Sequence, residues 1–395
     1  MNGSEKRIFI TLFFAIFNAI LGVGIVIPLL PVYAKNLGAS GLYISMIFGA
    51  FSLSRTFLLP YFGKLSDKRG RKPLITAGLL GYTIVSIAFV YFSSVEALIT
   101  IRFFQGIASA MIMPATQAYV GDITPKGKEG LYMGAFNMSM FLSLSLGPLM
   151  GGFISEYFSL QVTFFFMGVL STLALLISLI FLPPVNKEIS VKYRSNEPPR
   201  WTILLSNKNI AGLFIYRVVY TIAIAVIWCF IPVYADEQFG LSSSAIGVLV
   251  TSGVFISGIL NTPMGYIADR YDKKKMIIAG GMIVCISLFS LILADGFWSM
   301  LISISFFGVG GGLSMPPLMA LAVMHGAKEK ALGSVMAILT LAQSLGMLSG
   351  SVLAGLAMDY LKLKYSFPLA ALIMAVGLVL CMTYLKNPGN GIIER

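Results

Sequence analysis

Twelve long apolar runs dominate this chain and decide what it can fold into. Each run approaches or exceeds the roughly 20 residues that a helix needs to cross the hydrocarbon core of a bilayer. The chain is 57% hydrophobic and only 11% charged, whereas a soluble domain carries about 25% charged residues. The sequence therefore predicts an all-α membrane protein with twelve transmembrane helices near residues 8–34, 40–64, 73–93, 96–121, 129–156, 161–183, 208–235, 241–267, 274–294, 297–325, 330–358 and 364–386.

The positive charge of the chain follows this predicted topology. The formal net charge is +12, but Lys and Arg come in short clusters between apolar runs, whereas nucleic-acid binding would need them on one soluble face. The richest cluster, GKLSDKRGRKP at Gly63–Pro73, shares one side of the membrane with both termini. By the positive-inside rule this side is cytoplasmic. The short loops favour a multi-pass protein of the plasma (inner) membrane with both termini in the cytoplasm.

The cysteines and the single histidine do not predict a disulfide or a metal centre, and no cofactor is expected. Cys229, Cys285 and Cys381 lie in apolar runs without a partner spacing. The single histidine, His325, lies at the end of a predicted span. The chain opens with MNGSEKR and passes directly into a long apolar run without a small-residue cleavage site, which predicts a retained first helix.

The chain also repeats itself at an offset of about 202 residues. PVYAKNLGAS in the first half returns as PVYADEQFGLS in the second, and GKLSDKRGRK returns in weaker form as GYIADRYDKKK. Two parallel repeats around a central cavity are typical of transporters that bind a small-molecule substrate near the membrane midplane. We expect a monomer that consists of an N-terminal six-helix bundle (1–183), a cytoplasmic linker (184–207) and a C-terminal six-helix bundle (208–395).

Three motifs carry a resemblance to a known family. The loop after helix 2 matches Gly-x-Leu-Ser/Ala-Asp-Arg-x-Gly-Arg-Arg/Lys, with Lys68 in place of one Arg, and Arg102-Phe-Phe-Gln105-Gly matches Arg-x-x-Gln-Gly in helix 4. The helix-5 motif is matched by Gly134, Gly147, Pro148, Gly151 and Gly152, with Ser143 where glycine is usual. Over nearly its whole length the chain resembles the major facilitator superfamily, and within it the twelve-helix drug–proton antiporters of multidrug and tetracycline efflux. The resemblance implies two pseudo-symmetric six-helix bundles around a central cavity.

In this family the loop motif forms a conformational latch at the cytoplasmic face, so the resemblance implies that role for Gly63, Asp67, Arg71, Lys72 and Asp122. Asp67 would bond to the N-terminus of helix 11, where the helix dipole and open N–H groups attract an anion. Arg71 would bridge to Asp122 at the end of helix 4. The alternative is that Asp67 only offsets the neighbouring cations.

The helix-5 motif has a plain physical interpretation beside the one that the family implies. Pro148 removes a backbone hydrogen bond and kinks the helix, and the glycines permit close packing against a neighbouring helix. Dense packing is compatible with the role implied by the family, a tight hinge that prevents ion leakage.

Three cations lie inside predicted spans, where each costs about 2.5–3.5 kcal/mol on insertion scales. Arg102 is the family's own arginine, which the resemblance links, with Gln105, to proton transfer; structural bracing is the alternative. Arg55 and Arg217 belong to no family motif. They either hold an anionic group of the substrate or bond to backbone carbonyls.

Acidic residues are confined to loops and span ends, although a drug–proton antiporter needs a carboxylate that titrates inside the cavity. Asn18 stands in helix 1 where the family commonly has an acid, and Asn does not titrate. Glu96, near the outer end of helix 4 and about two turns before Arg102, is the remaining candidate for the proton site.

The family's cavity is lined by helices 1, 4, 7 and 10 and by parts of helices 2, 5, 8 and 11. Aromatic, Met and polar side chains on such helices form adaptable pockets, although each could instead face lipid or another helix. The candidates for the substrate cavity are Asn18, Arg55, Met113, Gln117, Asn137, Tyr216, Arg217, Tyr220, Trp228 and Gln343.

The leading interpretation is a secondary active transporter that works by alternating access and exports amphiphilic drugs or metabolites, coupled to protons. The alternative is an organic-anion transporter, exchanger or facilitator without proton coupling, which Arg55, Arg217 and the missing cavity carboxylate favour. An ATP-driven pump would need a Walker motif, and GDITPKGK at Gly121–Lys128 has the wrong spacing. An enzyme would need clustered catalytic groups, which one histidine and scattered acids do not supply. Substrate flux would exclude a non-transporting receptor or scaffold.

Overall fold

The structure, a computed structural model, describes residues 3–124, 129–183, 201–329 and 332–385. Within these ranges it contains twelve helices that are long and apolar enough to cross a membrane, which confirms the predicted all-α membrane fold. In chain order they are α1 (Gly3–Asn36), α2 (Gly41–Arg69), α3 (Arg71–Tyr91), α4 (Val95–Ile123), α5 (Glu129–Tyr157), α6 (Leu160–Phe181), α7 (Lys208–Phe239), α8 (Ser243–Arg270), α9 (Lys273–Ser290), α10 (Phe297–Lys328), α11 (Leu332–Tyr360) and α12 (Ser366–Tyr384).

The helices alternate in direction, so the membrane protein has two distinct faces. We call the face where α1 begins and α12 ends the terminal face, and the opposite face the distal face. The turns between α1 and α2, and between α7 and α8, therefore lie at the distal face. The junction of α2 and α3, which is the single residue Gly70, lies at the terminal face. The cation-rich motif Gly63–Pro73 occupies the end of α2 and the start of α3 on either side of it.

Two turns at the distal face have the same construction. Gly38 follows α1 with a φ of 84°, and Gly240 follows α7 with a φ of 59°; both angles lie in the region that glycine adopts without a Cβ clash. Two residues later, Ser40 and Ser242 each cap the next helix by accepting a hydrogen bond from a backbone N–H of its first turn. The sequence repeat is therefore also a repeat of local structure.

Each half of the chain packs its helices in the same order. In the first half α1 packs on α5 and α6, α2 on α4, and α3 on α4 and α6. In the second half α7 packs on α11 and α12, α8 on α10, and α9 on α10 and α12. The two bundles meet mainly along two helix pairs, α2 with α11 and α5 with α8. This is the pseudo-symmetric two-bundle architecture that the repeat predicts.

Glycines set the distance between helices within each bundle. A Cβ added to Gly151 on α5 would lie 2.5 Å from the carbonyl oxygen of Ile25 on α1, and one added to Gly350 on α11 would lie 2.6 Å from that of Ile222 on α7. Lipid gives helices little hydrophobic reason to associate, so close van der Waals packing between small residues carries much of the association.

The outward surface of the bundles is apolar. Large side chains such as Phe57, Ile84, Phe165, Ile286 and Val376 are exposed there. In water a surface of this kind would drive aggregation, whereas in a bilayer it is the contact with lipid. The helices satisfy their backbone hydrogen bonds internally, as lipid requires.

The predicted bounds of the spans differ from the structure by up to about five residues. The second span, predicted to end at residue 64, continues as helix to Arg69, so the predicted cation-rich loop is helical apart from Gly70. The predicted linker 184–207 ends in a short helix, Trp201–Ser206, and Asn207 then caps α7. Residues 184–200 lie outside the described residues, so the linker and the limits of the two bundles stay a proposal. The ninth span leaves the α-helix at Ser290 and continues as a 3₁₀ turn, Leu291–Leu293.

Replacing Gly310 by Val should destabilise the C-terminal bundle. A Cβ at Gly310 on α10 would lie 2.7 Å from the carbonyl oxygen of Gly280 and 2.7 Å from a methyl group of Val284, both on α9. The two helices would have to separate, and overpacking of this kind costs about 1–3 kcal/mol. Thermal unfolding of the purified protein should show a lower Tm than the wild type.

Gly296 supplies the matched control, because nothing lies within 4 Å of its Cβ position. The Gly296→Val variant should keep the wild-type Tm. An equal fall in Tm for both variants would contradict the packing explanation.

Candidate functional site

A cavity lies between the two bundles, at the depth where most of its helices are halfway across the membrane. Its wall takes residues from α1 to α5 on one side and from α7 and α11 on the other, and it encloses about 200 Å³. Most of the wall is apolar, with contributions such as Ile20, Val23, Phe51, Met140 and Met347. The polar residues of the wall are Ser52, Arg55, Tyr82, Arg102, Ser109, Thr221, Gln343 and Ser344.

Arg55, in the middle of α2, is the least satisfied group on this wall. Its Nε is buried without a hydrogen-bond partner, and its guanidinium forms no hydrogen bond or ion pair with any described residue. Tyr82 of α3 lies close enough for an electrostatic interaction, but a phenol is not a counter-ion. Because an unpaired cation is costly to bury, this position can accept an anionic group that enters the cavity.

Arg102, by contrast, is held by the protein itself. Its Nε donates to the carbonyl oxygen of Ile47 at 3.4 Å, and its Nη1 donates to Oε1 of Gln105 at 2.7 Å. The guanidinium also lies 5.2 Å from the ring centroid of Phe48 and 4.7 Å from that of Phe51, within the range of cation–π attraction. These contacts make Arg102 a brace between α4 and α2. Its role in proton transfer stays a prediction.

Arg217 of α7 acts on the cavity indirectly. Its Nη2 donates to Oε1 of Gln343 at 2.7 Å, and its Nη1 lies 2.8 Å from the sulfur of Met315. Gln343 belongs to the wall, whereas Arg217 does not. The Arg217 guanidinium therefore orients the Gln343 amide in the wall, and its own Nε is buried without a partner among the described residues.

The structure brings only part of the predicted cavity set together. Arg55, Met113, Trp228 and Gln343 lie on the wall, while Asn18, Gln117, Tyr216, Arg217 and Tyr220 do not. Tyr216 and Tyr220 are buried inside the C-terminal bundle, where their rings stack with centroids 6.3 Å apart. Gln117 is exposed, and the side chain of Asn137 lies outside the described residues.

Two wall residues, Tyr82 and Ser109, are missing from the sequence-based set. Tyr82 lies on α3, a helix that the family resemblance does not assign to the cavity, and Ser109 is one of many small polar residues in the spans. Both lie near the midpoint of their helices, as Arg55 does. Matching polar residues by their depth in neighbouring spans would have found them.

Within the described residues no Asp, Glu or His lies on the cavity wall. Glu96, the candidate proton site, is an exposed residue in the first turn of α4 at the distal face. Gln105, its predicted companion, is buried and bonded to Arg102. The described residues also contain no group of three His, Cys, Asp or Glu that could hold a metal ion.

At the terminal face, the cation-rich motif Gly63–Pro73 is anchored within its own bundle. Arg71 begins α3; its Nε lies 3.1 Å from Oδ2 of Asp122 at the end of α4, and its Nη1 donates to the Ser66 hydroxyl at 2.6 Å. The ammonium of Lys72 donates to the carbonyl oxygen of Leu179 on α6 at 3.0 Å. The motif therefore connects α2, α3, α4 and α6.

The contact predicted between the motif and the second bundle depends on side chains outside those that the structure describes. Gly63 lies on α2 with Pro114 of α4 as its neighbour. The side chain of Asp67 and the first residues of α11, Leu332 and Gly333, are not among the side chains that the structure describes. The latch between the bundles stays a prediction.

The helix-5 motif packs in two directions. Gly134, Gly147, Pro148, Gly151 and Gly152 all lie in α5. Gly147 and Gly151 face α1, whereas a side chain at Gly152 would overlap the carbonyl oxygen of Ser243 on α8, and a side chain at Gly247 of α8 would meet the Pro148 carbonyl. The motif therefore joins α5 both to its own bundle and to the opposite one.

These features together define a class of protein. Twelve membrane helices in two similar bundles, with an apolar cavity at the midplane whose wall belongs to both, describe a membrane transporter. The sequence comparison makes the family explicit: the model of the Major Facilitator Superfamily matches residues 12–234 and 213–392. The chain belongs to the Major Facilitator Superfamily.

Known proteins resemble the chain over most of its length. An uncharacterized MFS-type transporter of Methanocaldococcus jannaschii is 30% identical over 389 residues, which cover 96% of this chain and 98% of that protein. The quinolone resistance protein NorA of Staphylococcus aureus is 30% identical over 305 residues, covering 75% and 76%. Multidrug resistance protein 2 of Bacillus subtilis is 27% identical over 398 residues, covering 98% and 97%.

Solved structures share the fold. The crystal structure of the nucleoside transporter NupG superposes with a TM-score of 0.80 at 14% identity, covering 98% of this chain and 100% of that one. A bacterial homologue of the lysosomal transporter Spinster, in an inward-facing conformation, gives a TM-score of 0.80 at 11% identity over 98% and 100%. At these identities the likeness shows the major facilitator fold alone.

Arg102→Lys and Arg55→Met should change stability in opposite directions. Lysine cannot reproduce the two directed hydrogen bonds and the ring contacts of Arg102, so the free energy of unfolding should fall by about 1–3 kcal/mol. Methionine at position 55 removes an unpaired buried cation at similar length, so stability should rise. Thermal unfolding without added substrate measures both effects. A loss of stability in Arg55→Met as large as in Arg102→Lys would contradict this assignment.

Proposed function

We propose that this chain is a secondary active transporter that works by alternating access and exports amphiphilic drugs or metabolites. The observation that carries the proposal is the midplane cavity whose wall belongs to both bundles, because rocking of the bundles would open it to one face and then to the other. Its Met, aromatic and aliphatic wall suits molecules without one fixed shape. The quinolone and multidrug resistance proteins among its relatives support the same direction of transport.

The charge distribution supports a proposal about orientation. The terminal face carries clusters such as Lys68-Arg69 and Lys273-Lys274-Lys275, while the distal face has few cations. By the positive-inside rule we place the terminal face in the cytoplasm. We also propose that the protein is a monomer of the plasma membrane, as expected from the sequence. In this orientation, the predicted contact of Asp67 with α11 would close the cytoplasmic side during the cycle.

Organic-anion transport is the second candidate function, and one observation favours it. Arg55 is half-buried, its Nε is buried, and its guanidinium has no partner among the described residues. The described residues of the wall around it include no carboxylate. A carboxylate or sulfonate on an amphiphile would supply the missing counter-ion, since guanidinium groups bind such anions through paired hydrogen bonds. A cationic substrate would meet repulsion at the same position.

Transport of two matched fluorescent amphiphiles decides between these functions. Dansylglycine carries a carboxylate, and its partner carries a quaternary ammonium group in place of that carboxylate. Under the anion proposal, proteoliposomes with the wild type transport the anion, and Arg55→Met lowers that rate at least about tenfold, because a charge-assisted hydrogen bond is lost. Arg55→Lys should retain part of it.

The cationic member of the pair is the control for this experiment. Arg55→Met should leave its transport unchanged or increase it. Transport of the cation by the wild type, with no effect of Arg55→Met on either compound, would overturn the anion proposal and leave drug export in place. If the wild type transports neither compound and no member of a wider panel of amphiphiles, the proposal that the chain is a transporter is overturned.

Proton coupling is proposed for the export function, with Glu96 as the proton site. Glu96 is exposed at the distal face, where protons from that side can reach it directly. Addition of a transported amphiphile should change the internal pH of proteoliposomes that contain a trapped pH dye, and Glu96→Gln should abolish the change. Asp295→Asn, another exposed distal carboxylate, is the control. Flux without a pH change in the wild type would contradict proton coupling and support an uncoupled exchanger.

A further inference from the structure

The contacts that join the two bundles are concentrated at the distal side. Among the described residues, every hydrogen bond or ion pair between the bundles involves the distal half of α2 or α11, of α5 or α8, or the distal ends of α1 and α7. They are Gly41 and Leu42 with Asp359, Ser45 with Ser351, Thr251 with Ser145, Ser244 with Glu156, and Lys35 with Glu237. The distal side of the cavity is therefore closed.

The strongest of these contacts is made by Asp359 at the end of α11. Its two carboxylate oxygens accept hydrogen bonds from the backbone N–H groups of Gly41 at 2.6 Å and Leu42 at 2.9 Å. These are the first two residues of α2, whose N–H groups have no partner inside the helix. The positive end of the helix dipole adds to the attraction. One bundle supplies the acceptor and the other supplies both donors.

Glu156 makes the corresponding contact on the other side of the cavity. This residue ends α5, and its carboxylate accepts a hydrogen bond from the backbone N–H of Ser244 at 2.8 Å, in the first turn of α8. The repeat relates the two sites, because α2 and α8 both start after a glycine turn and a serine cap. Each bundle therefore gives one carboxylate and one helix N-terminus.

Glycines bring the helices together next to both contacts. A side chain at Gly355 of α11 would overlap Ser45 and the carbonyl oxygen of Gly41 on α2, and one at Gly152 of α5 would overlap Ser243 of α8. No side chain separates the helices there, so the carboxylates of Asp359 and Glu156 can reach the backbone of the opposite bundle only while the distal side is closed. Both contacts must break when it opens.

We infer that Asp359 and Glu156 hold the cavity closed on the distal side. The carboxylate of each residue bonds to a helix N-terminus of the opposite bundle, and we call these two contacts the distal clamps. This inference rests on the proposed alternating access. The clamps oppose the predicted latch at the terminal face, so the balance between the two sets the fraction of molecules open to each side.

The neighbouring ion pair does not replace the clamps. Lys35 and Glu237 lie 3.1 Å apart, but their side chains are 34% and 42% exposed. Exposed pairs of flexible side chains contribute little to an equilibrium in water. Asp359 and Glu156 are exposed as well, but their partners are rigid backbone donors, which keep their geometry without ordering a second side chain.

Spin-label distances in lipid nanodiscs test the clamps. With the three native cysteines replaced by alanine, one nitroxide pair on Tyr91→Cys and Leu293→Cys reports the distal side, where both residues are highly exposed. A second pair on Lys68→Cys and Tyr271→Cys reports the terminal side. The proteins compared are the parent, Asp359→Asn, Glu156→Ala, their combination, and the control Asp295→Asn.

We expect each clamp variant to increase the ratio of distal-open to distal-closed molecules by about fivefold, as loss of a helix-capping bond would, and the combination to increase it further. The terminal pair should move closer at the same time. Asp295→Asn removes a distal charge that bonds to no helix N-terminus, and should match the parent.

The other outcomes overturn the inference in distinguishable ways. Two populations in the parent that the clamp variants leave unchanged would refute the clamps and keep alternating access. Distal widening without terminal narrowing would show that the contacts only cap the helices locally. An equal effect of Asp295→Asn would show that the total charge of the distal face matters, and not the two clamps. If each nitroxide pair gives only one distance in every protein compared, the clamps and alternating access are both refuted.

Discussion

The structure depends on one constraint: in lipid, every backbone N–H and C=O must be bonded within the protein. Twelve helices meet this requirement along their length, and the only open backbone groups remain at their ends. The described polar contacts at the two faces are accordingly made largely at helix ends. Ser40 and Ser242 cap the starts of α2 and α8, Asp359 and Glu156 bond to the same starts from the opposite bundle, and Arg71 bonds to Asp122 at the end of α4.

Inside the membrane the same constraint applies to charge, and it distinguishes two arginines that both lie within predicted spans. Arg102 satisfies its guanidinium with Ile47, Gln105 and two rings, so its burial is compensated by the protein. Arg55, one helix away on the same wall, has no such partners among the described residues. The protein itself bonds to the first guanidinium, whereas no described residue bonds to the second.

The sequence predicted the helices, the repeat and the family because these depend on local patterns: run length, charge clusters and motif spacing. The wall of the cavity depends on how each helix is rotated about its axis, and nearly uniform apolar runs do not encode that rotation. Tyr216 and Tyr220 thus turned out to stack inside a bundle, while Tyr82 reached the wall. The carboxylate contacts of Asp359 were equally hidden, since they join residues more than 300 positions apart.

The two-fold repetition of the distal clamps is what the duplication of an ancestral half would produce. If each half once existed as a separate chain that paired with its own copy, a single carboxylate and a single helix start per copy would have formed both contacts, because a two-fold interface uses every contact twice. Fusion of the copies then freed the two sites to diverge. Asp359 accepts from two backbone N–H groups and Glu156 from one, and this is the asymmetry that such freedom permits.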